Sequence, residues 1–524
     1  MMNDNINKMQ NLSEYFINSV KKFPTRTALV VDDKYLTYQE LFNRASHLSF
    51  SLLQFQEKHC ALLSARGVDS YVGLLAILMA GKTYIPLSTK SPQERNLEIL
   101  RFSEAAILIV DEKCTADAAE LLRNYKDPLI VAIPSLDSLP KNMQSLNQSP
   151  LQKPFANDDA YLLFTSGSTG IPKAVMTTHA SAVEYIDKML KRYQPNEHDR
   201  FSQLTDLSFD VAMHELFLCW ASGGCLYTIA DAQLAGLHRF INQHQLTVWT
   251  SVPSILSLLK QWNRLNPGIF PSIRCSTLLG EPLAEELVRY WHSAAPNSII
   301  DNLYGPTEAT IIFTEYRWQP GLAHSSGYVP IGVPLAGQDI AILDIDRKPV
   351  AKGAVGELYL AGSQVTKGYW NNPKLTREKF VKIDSDQSKY WYKTGDFVYW
   401  DDSYGLVFKG RDIDILKVRG GRVEKLEVEM VLRDLAKTNT VAIVPFQKAQ
   451  DGVVLNLMAF VGYSSVNDAD ILKNCQRKLP GYMIPSKIIR VESLPITKNG
   501  KVDYQFLNKH AEILMLSTAK ENAC

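Results

Sequence analysis

Short apolar, β-branched runs alternate with amphipathic, helix-like stretches along most of this chain, and that alternation constrains its fold more than any other feature. TALVV (27–31), AAILIV (105–110), PLIVAI (128–133) and LTVWTSV (246–252) each give way to a polar or turn-rich segment. The pattern predicts strands and helices in α/β layers. At 524 residues the chain is too long for one compact core, so several folding units are expected. A polar stretch from Asp137 to Asp159 reads as a surface connection between two subdomains.

The pattern changes around 395–422, where Gly395, Gly405, Gly410, Gly420 and Gly421 punctuate a charged run; a hinge or domain boundary is expected there. Downstream, VEKLEVEMVLRDL and DILKNCQRKL predict helices, and TVAIVPF and LNLMAFVGY predict strands, which together make a small α+β unit.

Bulk properties remove several function classes. Fifty-six basic against 55 acidic residues leave a net charge of +1, too little to grip a nucleic-acid backbone. The seven cysteines are scattered without a CxxC pair, which argues against a disulfide framework or a zinc site. The first residues lack a signal-peptide pattern, and no apolar run reaches the length of a membrane span. A cytoplasmic protein that binds neither nucleic acid nor membrane is expected.

The strongest local signal is YLLFTSGSTGIPK (161–173), an apolar strand running into a loop of hydroxyls and glycines closed by a lysine. Such a loop suits a triphosphate: Gly167 and Gly170 let backbone N–H groups approach phosphate oxygens, Thr165, Ser166, Ser168 and Thr169 add donors, and Lys173 adds charge. The spacing is not that of a Walker A loop, and taken alone the segment could be a surface loop.

In its wording the segment resembles the signature loop of the adenylate-forming superfamily, which comprises acyl-CoA synthetases, luciferases and the adenylation domains of nonribosomal peptide synthetases. Further segments resemble that family's motifs in order: LTYQEL (36–41), LMAGKTYIPL (78–87), FDVAMHELF (209–217), NLYGPTEAT (302–310), GELYLAGSQVTKGYWNNP (356–373), YKTGDFV (392–398), GRDIDILKVRGGRVEKLEVE (410–429), LPGYMIP (479–485) and LPITKNGKVD (494–503). The resemblance implies a large N-terminal domain, residues 1–410, of two α/β layered sheets plus a β-rich subdomain. A small, mobile α+β C-terminal domain, residues 411–524, would complete it. It further implies that ATP and an amino acid react to give an aminoacyl-adenylate, and that the acyl group passes to a phosphopantetheinylated carrier protein acting in trans, since little chain follows Lys501.

That reaction sets the residue roles. Attack of a carboxylate on the α-phosphate mainly needs positioned reactants and neutralised charge. By resemblance, Lys501 bridges the carboxylate and α-phosphate, Thr307 reaches the α-phosphate, and Glu308 holds Mg²⁺, a hard cation suited to carboxylate oxygens. Asp396 takes the ribose hydroxyls with help from Arg411. Gly280, Glu281, Pro282 and Asn302 frame the adenine, with Tyr304 stacking on it beside Gly305. Without the resemblance, Glu308 and Lys501 are ordinary surface charges and the Gly, Pro and Tyr residues ordinary turn formers.

Asp210 stands where amino-acid-activating relatives keep an aspartate for the substrate ammonium; the other reading is an N-cap for the helix that follows. Carried over by position, the substrate pocket comprises Asp210, Val211, His214, Thr250, Thr277, Leu279, Leu303, Ile311 and Ile312, although His214 fits a packing role as well. Asp210 is the single acid in this set, so a neutral, mostly aliphatic amino acid is expected, with L-proline the first candidate. Two departures from the family pattern stand out: Ile413 occupies a usual aspartate position in the hinge motif, and Ala174 replaces a usual glycine. The rival readings are an acyl- or aryl-CoA ligase of the same fold and a non-catalytic nucleotide-binding protein.

Overall fold

The computed structural model describes residues 9–125, 130–132, 154–165, 172–322, 324, 327–384, 386–411, 415–438, 440–448, 454–495 and 502–521. The stretch 137–153, residues 166–171 of the glycine-rich segment, residues 412–414 of the expected hinge and Lys501 lie outside them.

Two α/β sheets form the bulk of the N-terminal part. In the larger, nine strands lie in the order 333–334, 314–318, 299–304, 275–279, 248–251, 200–203, 225–228, 27–31 and 34–37. The strands from 299–304 through 27–31 run parallel, and antiparallel pairings close both edges. The second sheet orders 130–132, 107–110, 59–64, 83–88, 159–165 and 173–178, parallel except for the final antiparallel pair. Parallel strands are covered on both faces, which is why they read as continuous apolar runs: every residue of Ile107–Val110, Thr83–Ser88 and Cys275–Leu279 is buried.

One core joins the two sheets. It takes Leu29, Cys275 and Leu303 from the first, Leu62, Tyr84 and Tyr161 from the second, and Ala212, Leu216, Phe217 and Trp220 from the helix Val211–Ser222. That helix buries every residue from Ala212 to Trp220, as expected of one apolar on all sides.

A five-stranded antiparallel sheet follows, with 338–343, 356–362, 386–401 and 380–383 side by side and Gly405–Arg411 paired to Asp386–Asp401. The expected pair of layered sheets plus a β-rich part is therefore present. After Arg411 the chain makes a two-stranded hairpin, Ile415–Val418 and Gly421–Glu424, and then a three-stranded sheet of 441–448, 454–462 and 487–491. Helices Lys425–Ala436, Asp468–Lys478 and Tyr504–Glu521 accompany that sheet, matching the expected small α+β unit, whose own core includes Val428, Leu432, Ile443, Ala459 and Ile471. Among the described residues, no helix is long and apolar enough to cross a membrane.

Candidate active site

A cavity of about 270 Å³ lies where several parallel strands of the large sheet end. Leu204, Ile229, Ser251, Leu279 and Tyr304 reach it from the carboxyl ends of their strands, the edge at which open α/β sheets bind ligands. The opposite wall comes from the C-terminal unit: Lys417, Arg419, Gly420 and Arg422 of the hairpin, with Tyr482 beyond it. Thr165 and Asp396 also line it.

Asp210 opens the Val211–Ser222 helix yet makes no side-chain cap. Asp210 lines the cavity while being only 8% exposed, and among the described residues its buried Oδ2 has no hydrogen-bond partner. Burial pushes its pKa up to about 6, against the hydroxyl of Thr307 and the backbone N–H of Val211, which both donate to it. An acid in this condition has a vacancy for a cation at its free oxygen. Apolar side chains of Val211, Leu279 and Ile311 share the lining.

Glu308 is fully buried and sits in a group of charges largely shielded from solvent. Arg422 Nη1 lies 3.2 Å from its Oε1, and the hydroxyl of Tyr369 donates to the same oxygen at 2.8 Å. Burial alone would raise the Glu308 carboxyl, but Arg422 and Lys173 outweigh it and hold the pKa at about 2. Lys173 pairs with Glu424 at 2.5 Å, and Arg422 Nη2 stands 3.4 Å from that carboxylate. Burial and the neighbouring Arg422 lower the Lys173 ammonium from its usual value. Two core residues, Lys173 and Glu308, are thus matched by two residues of the hairpin strand Gly421–Glu424. A second tie, Arg95 Nη1 to Glu427 Oε1 at 2.7 Å, joins the core to the helix behind that hairpin.

At the other side of the cavity Tyr304 donates its hydroxyl to Asp396 Oδ2 at 2.6 Å. Asp396 stands opposite Arg411 in the strand register. Thr165, whose buried hydroxyl has no partner among the described residues, faces Lys173 across the antiparallel pair that flanks the glycine-rich loop. Gly280 and Gly305 line the cavity too.

Other sequence-expected residues lie elsewhere. Asn302 donates to the carbonyls of Val329 and Pro330 at 3.1 and 2.9 Å, a structural role within the fold. Glu281 accepts from the Ser254 backbone N–H at 2.8 Å, and Pro282 is exposed. His214, Thr250, Thr277, Leu303 and Ile312 are buried and are not among the lining residues. His214 accepts or donates at Nδ1 with Tyr185 at 2.7 Å, and Thr277 pairs with Thr250 at 2.8 Å. Burial holds the His214 imidazole down at about 4, so it is neutral. Ser166, Gly167, Ser168, Thr169, Gly170 and Lys501 lie outside the described residues, as does the Arg411 side chain.

Sequence reasoning missed the hairpin's contribution. Lys417, Arg419 and Arg422 come from ILKVRGGRVE, and the basic residues on either side of its Gly-Gly turn were the available signal. The turn packs closely: Gly420 has φ +81°, and a Cβ there would stand 2.8 Å from Val252 Cγ1.

Comparison with known proteins agrees with this geometry. The family described as AMP-binding enzyme matches residues 16–370. Tyrocidine synthase 3 of Brevibacillus parabrevis is 32% identical over 504 residues; the match covers 95% of this chain but 8% of that protein's length. Among solved structures, the Vibrio cholerae adenylation domain AlmE, in complex with glycyl-adenosine-5'-phosphate, has a TM-score of 0.87 at 30% identity, covering 97% of this chain and 99% of that one. NpsA-ThdA, an artificially fused adenylation and PCP di-domain from Klebsiella oxytoca, has a TM-score of 0.79 at 25% identity over 93% of this chain and 94% of that one.

Proposed function

The chain belongs to the AMP-binding enzyme family and is an AMP-forming ligase, and from that premise we propose that it adenylates a compact, neutral amino acid and passes the aminoacyl group to a carrier thiol. The observation that carries this reading is Asp210: a buried acid at the cavity wall with one oxygen unpartnered among the described residues. An α-ammonium supplies the missing partner, whereas a fatty or aryl acid would leave the charge buried and unpaired.

In the first step a carboxylate oxygen of the amino acid attacks the α-phosphorus of ATP, and the bond to the β-phosphate oxygen breaks to release pyrophosphate. Asp210 holds the ammonium, Asp396 takes the ribose hydroxyls, and Thr307, which precedes Glu308 in the chain and hydrogen-bonds to Asp210, reaches the α-phosphate. Lys173, Lys501 and the loop 166–170 neutralise the phosphates. Glu308 is the residue that would hold Mg²⁺: its oxygens are hard and ionised. Arg422 neutralises the same oxygens in the present arrangement, so the ion fits once the hairpin withdraws. In the second step a thiol sulfur attacks the acyl carbon and AMP leaves.

Residues 1–410 then act as the core and 411–524 as a lid, which exchanges the hairpin for Lys501 between the two steps. The partner is a phosphopantetheinylated carrier protein, a reading supported by the carrier fused to the adenylation domain in NpsA-ThdA. For the substrate, the lining of Val211, Leu279 and Ile311 favours a small aliphatic side chain. L-Proline is the first candidate from the sequence, and glycine is the second because the Vibrio cholerae domain was crystallised with its adenylate.

The test is amino-acid-dependent exchange of labelled pyrophosphate into ATP, run over proline, glycine, alanine, valine and leucine beside fatty and aryl acids. Lys501→Ala serves as the control. Exchange with a small amino acid, lost in the variant, is the expected result; exchange with fatty or aryl acids alone overturns it in favour of an acyl- or aryl-CoA ligase.

A further inference from the structure

The segment that brings Ile311 to the cavity is held in a backbone conformation its residues resist. Thr310 has φ +56° and Ile311 φ +69°. β-Branched residues rarely enter this left-handed region, and two in succession persist where the surroundings impose the geometry. The site also leaves no slack on the other side: a Cβ at Gly305 would stand 2.4 Å from the Ile311 carbonyl oxygen and 2.6 Å from Ile312 Cα. Relaxing the segment toward Gly305 is therefore blocked by backbone.

What holds it from behind is one residue, Gln364, which is fully buried and follows the strand Gly356–Gly362 of the antiparallel sheet. Its Nε2 donates to the Ile312 carbonyl at 2.7 Å and stands 3.5 Å from that of Thr310. Its own carbonyl accepts from the Thr310 hydroxyl at 2.6 Å. Its Oε1 in turn accepts from Lys188 Nζ at 2.9 Å, and its backbone N–H reaches Gln338 Oε1 at 3.4 Å. The carboxamide is thereby fixed at both ends, and it grips the residues on either side of Ile311 without touching the cavity. Two residues on, the Thr366 N–H donates to the Glu308 carbonyl at 2.9 Å, so the same stretch ties down the metal-side end of the segment.

We propose that Gln364 is a positioning residue for substrate selection: it holds Thr310 and Ile311 in the left-handed conformation that points Ile311 into the pocket, and so sets the size of side chain the enzyme accepts. This rests on reading the cavity as the acyl-substrate site. Ile311 is the wall that a larger side chain would meet, and Gln364 determines whether that wall stands or yields.

The experiment measures pyrophosphate exchange by the full chain over glycine, alanine, proline, valine and leucine. Gln364→Glu keeps the acceptor for Lys188 but removes the donor to Ile312, and Gln364→Ala removes both. Either is expected to raise KM for the best amino acid about tenfold and to narrow its advantage over the next larger one, while KM for ATP stays within about twofold. Thr310→Val, which drops only the hydroxyl bond, is expected to move selectivity the same way and serves if the Gln364 variants do not fold. In an Ile311→Gly background the strain at residue 311 and the side-chain wall there are both gone, so adding Gln364→Glu is expected to change selectivity by less than about twofold.

A uniform fall in kcat/KM for every amino acid, or a full Gln364→Glu effect in the Ile311→Gly background, overturns the proposal. If the wild-type chain exchanges with fatty or aryl acids alone, the amino-acid reading falls instead, and the Gln364 role is read from selectivity among acid chain lengths with the same variants.

Discussion

Arg422 and Glu308 face each other 3.2 Å apart across the junction between the core and the C-terminal unit, the carboxylate fully buried and the guanidinium largely so. A guanidinium and a divalent metal ion make the same demand on a carboxylate, so they compete for it. Arg422→Met is expected to lower the Mg²⁺ concentration giving half-maximal pyrophosphate exchange by up to about tenfold, equivalent to about 1.4 kcal/mol of relieved competition. A Mg²⁺ titration of exchange checks this, and an unchanged midpoint would separate Arg422 from metal binding.

Asp210 is expected to impair the free fold that it serves. With a folded pKa of about 6 and an unfolded value of about 4, the carboxyl ionises more readily in the unfolded chain, so stability falls as pH rises from about 4 to about 6. Above that window the loss is on the order of 2 to 3 kcal/mol. Asp210→Asn is therefore expected to abolish exchange yet raise the melting temperature at pH 7. Thermal melts at pH 4 and pH 7 test the sign: the gap between variant and wild type should shrink toward the acidic end.

In the proposed function the same carboxyl also sets how substrate binding depends on pH. Below about 6 it is protonated in the free enzyme and offers no charge to an ammonium, so KM for the amino acid is expected to rise as pH falls through that value. His214 lies one helical turn on but is neutral down to about pH 4, which keeps it out of this inflection. Profiles of kcat/KM for the wild type and His214→Gln should place the inflection at the same pH; a loss of the inflection in the histidine variant would reassign it.

The fold was legible because parallel strands covered on both faces must be apolar throughout, and runs such as Ile107–Val110 satisfy that without ambiguity. Within the candidate site, Asp210, Thr307 and Tyr304 could be read from motif wording, and they do border one cavity. Depth could not be read. Thr277 and Leu279 share one strand face, but Leu279 is at the strand end while Thr277 is two residues, about 7 Å, deeper, and only Leu279 reaches the lining. The hairpin's charges were hidden for another reason: their position depends on how two distant parts of the chain dock. Gln364 lies within a motif segment whose wording gave it no role; its hydrogen bonds, made across more than fifty residues of sequence, reveal it.

Lys173 and Glu424 form the other half of the docked charge group, 2.5 Å apart with side chains 5% exposed on both sides. Removing one partner of such a pair leaves the other charge buried and unmatched, which typically costs about 3 to 5 kcal/mol, whereas replacing both with apolar groups can be close to neutral. Lys173→Met alone is thus expected to release the C-terminal unit from the core, measured as faster cleavage near the hinge in limited proteolysis. Glu424→Leu added to it is expected to restore protection, although exchange should stay impaired because Lys173 is proposed to serve the phosphates as well. The two readouts distinguish the roles of one lysine: docking recovers in the double variant, and chemistry does not. If proteolysis is unchanged in Lys173→Met, the pair does not hold the unit in place, and the Arg95–Glu427 tie becomes the contact to test.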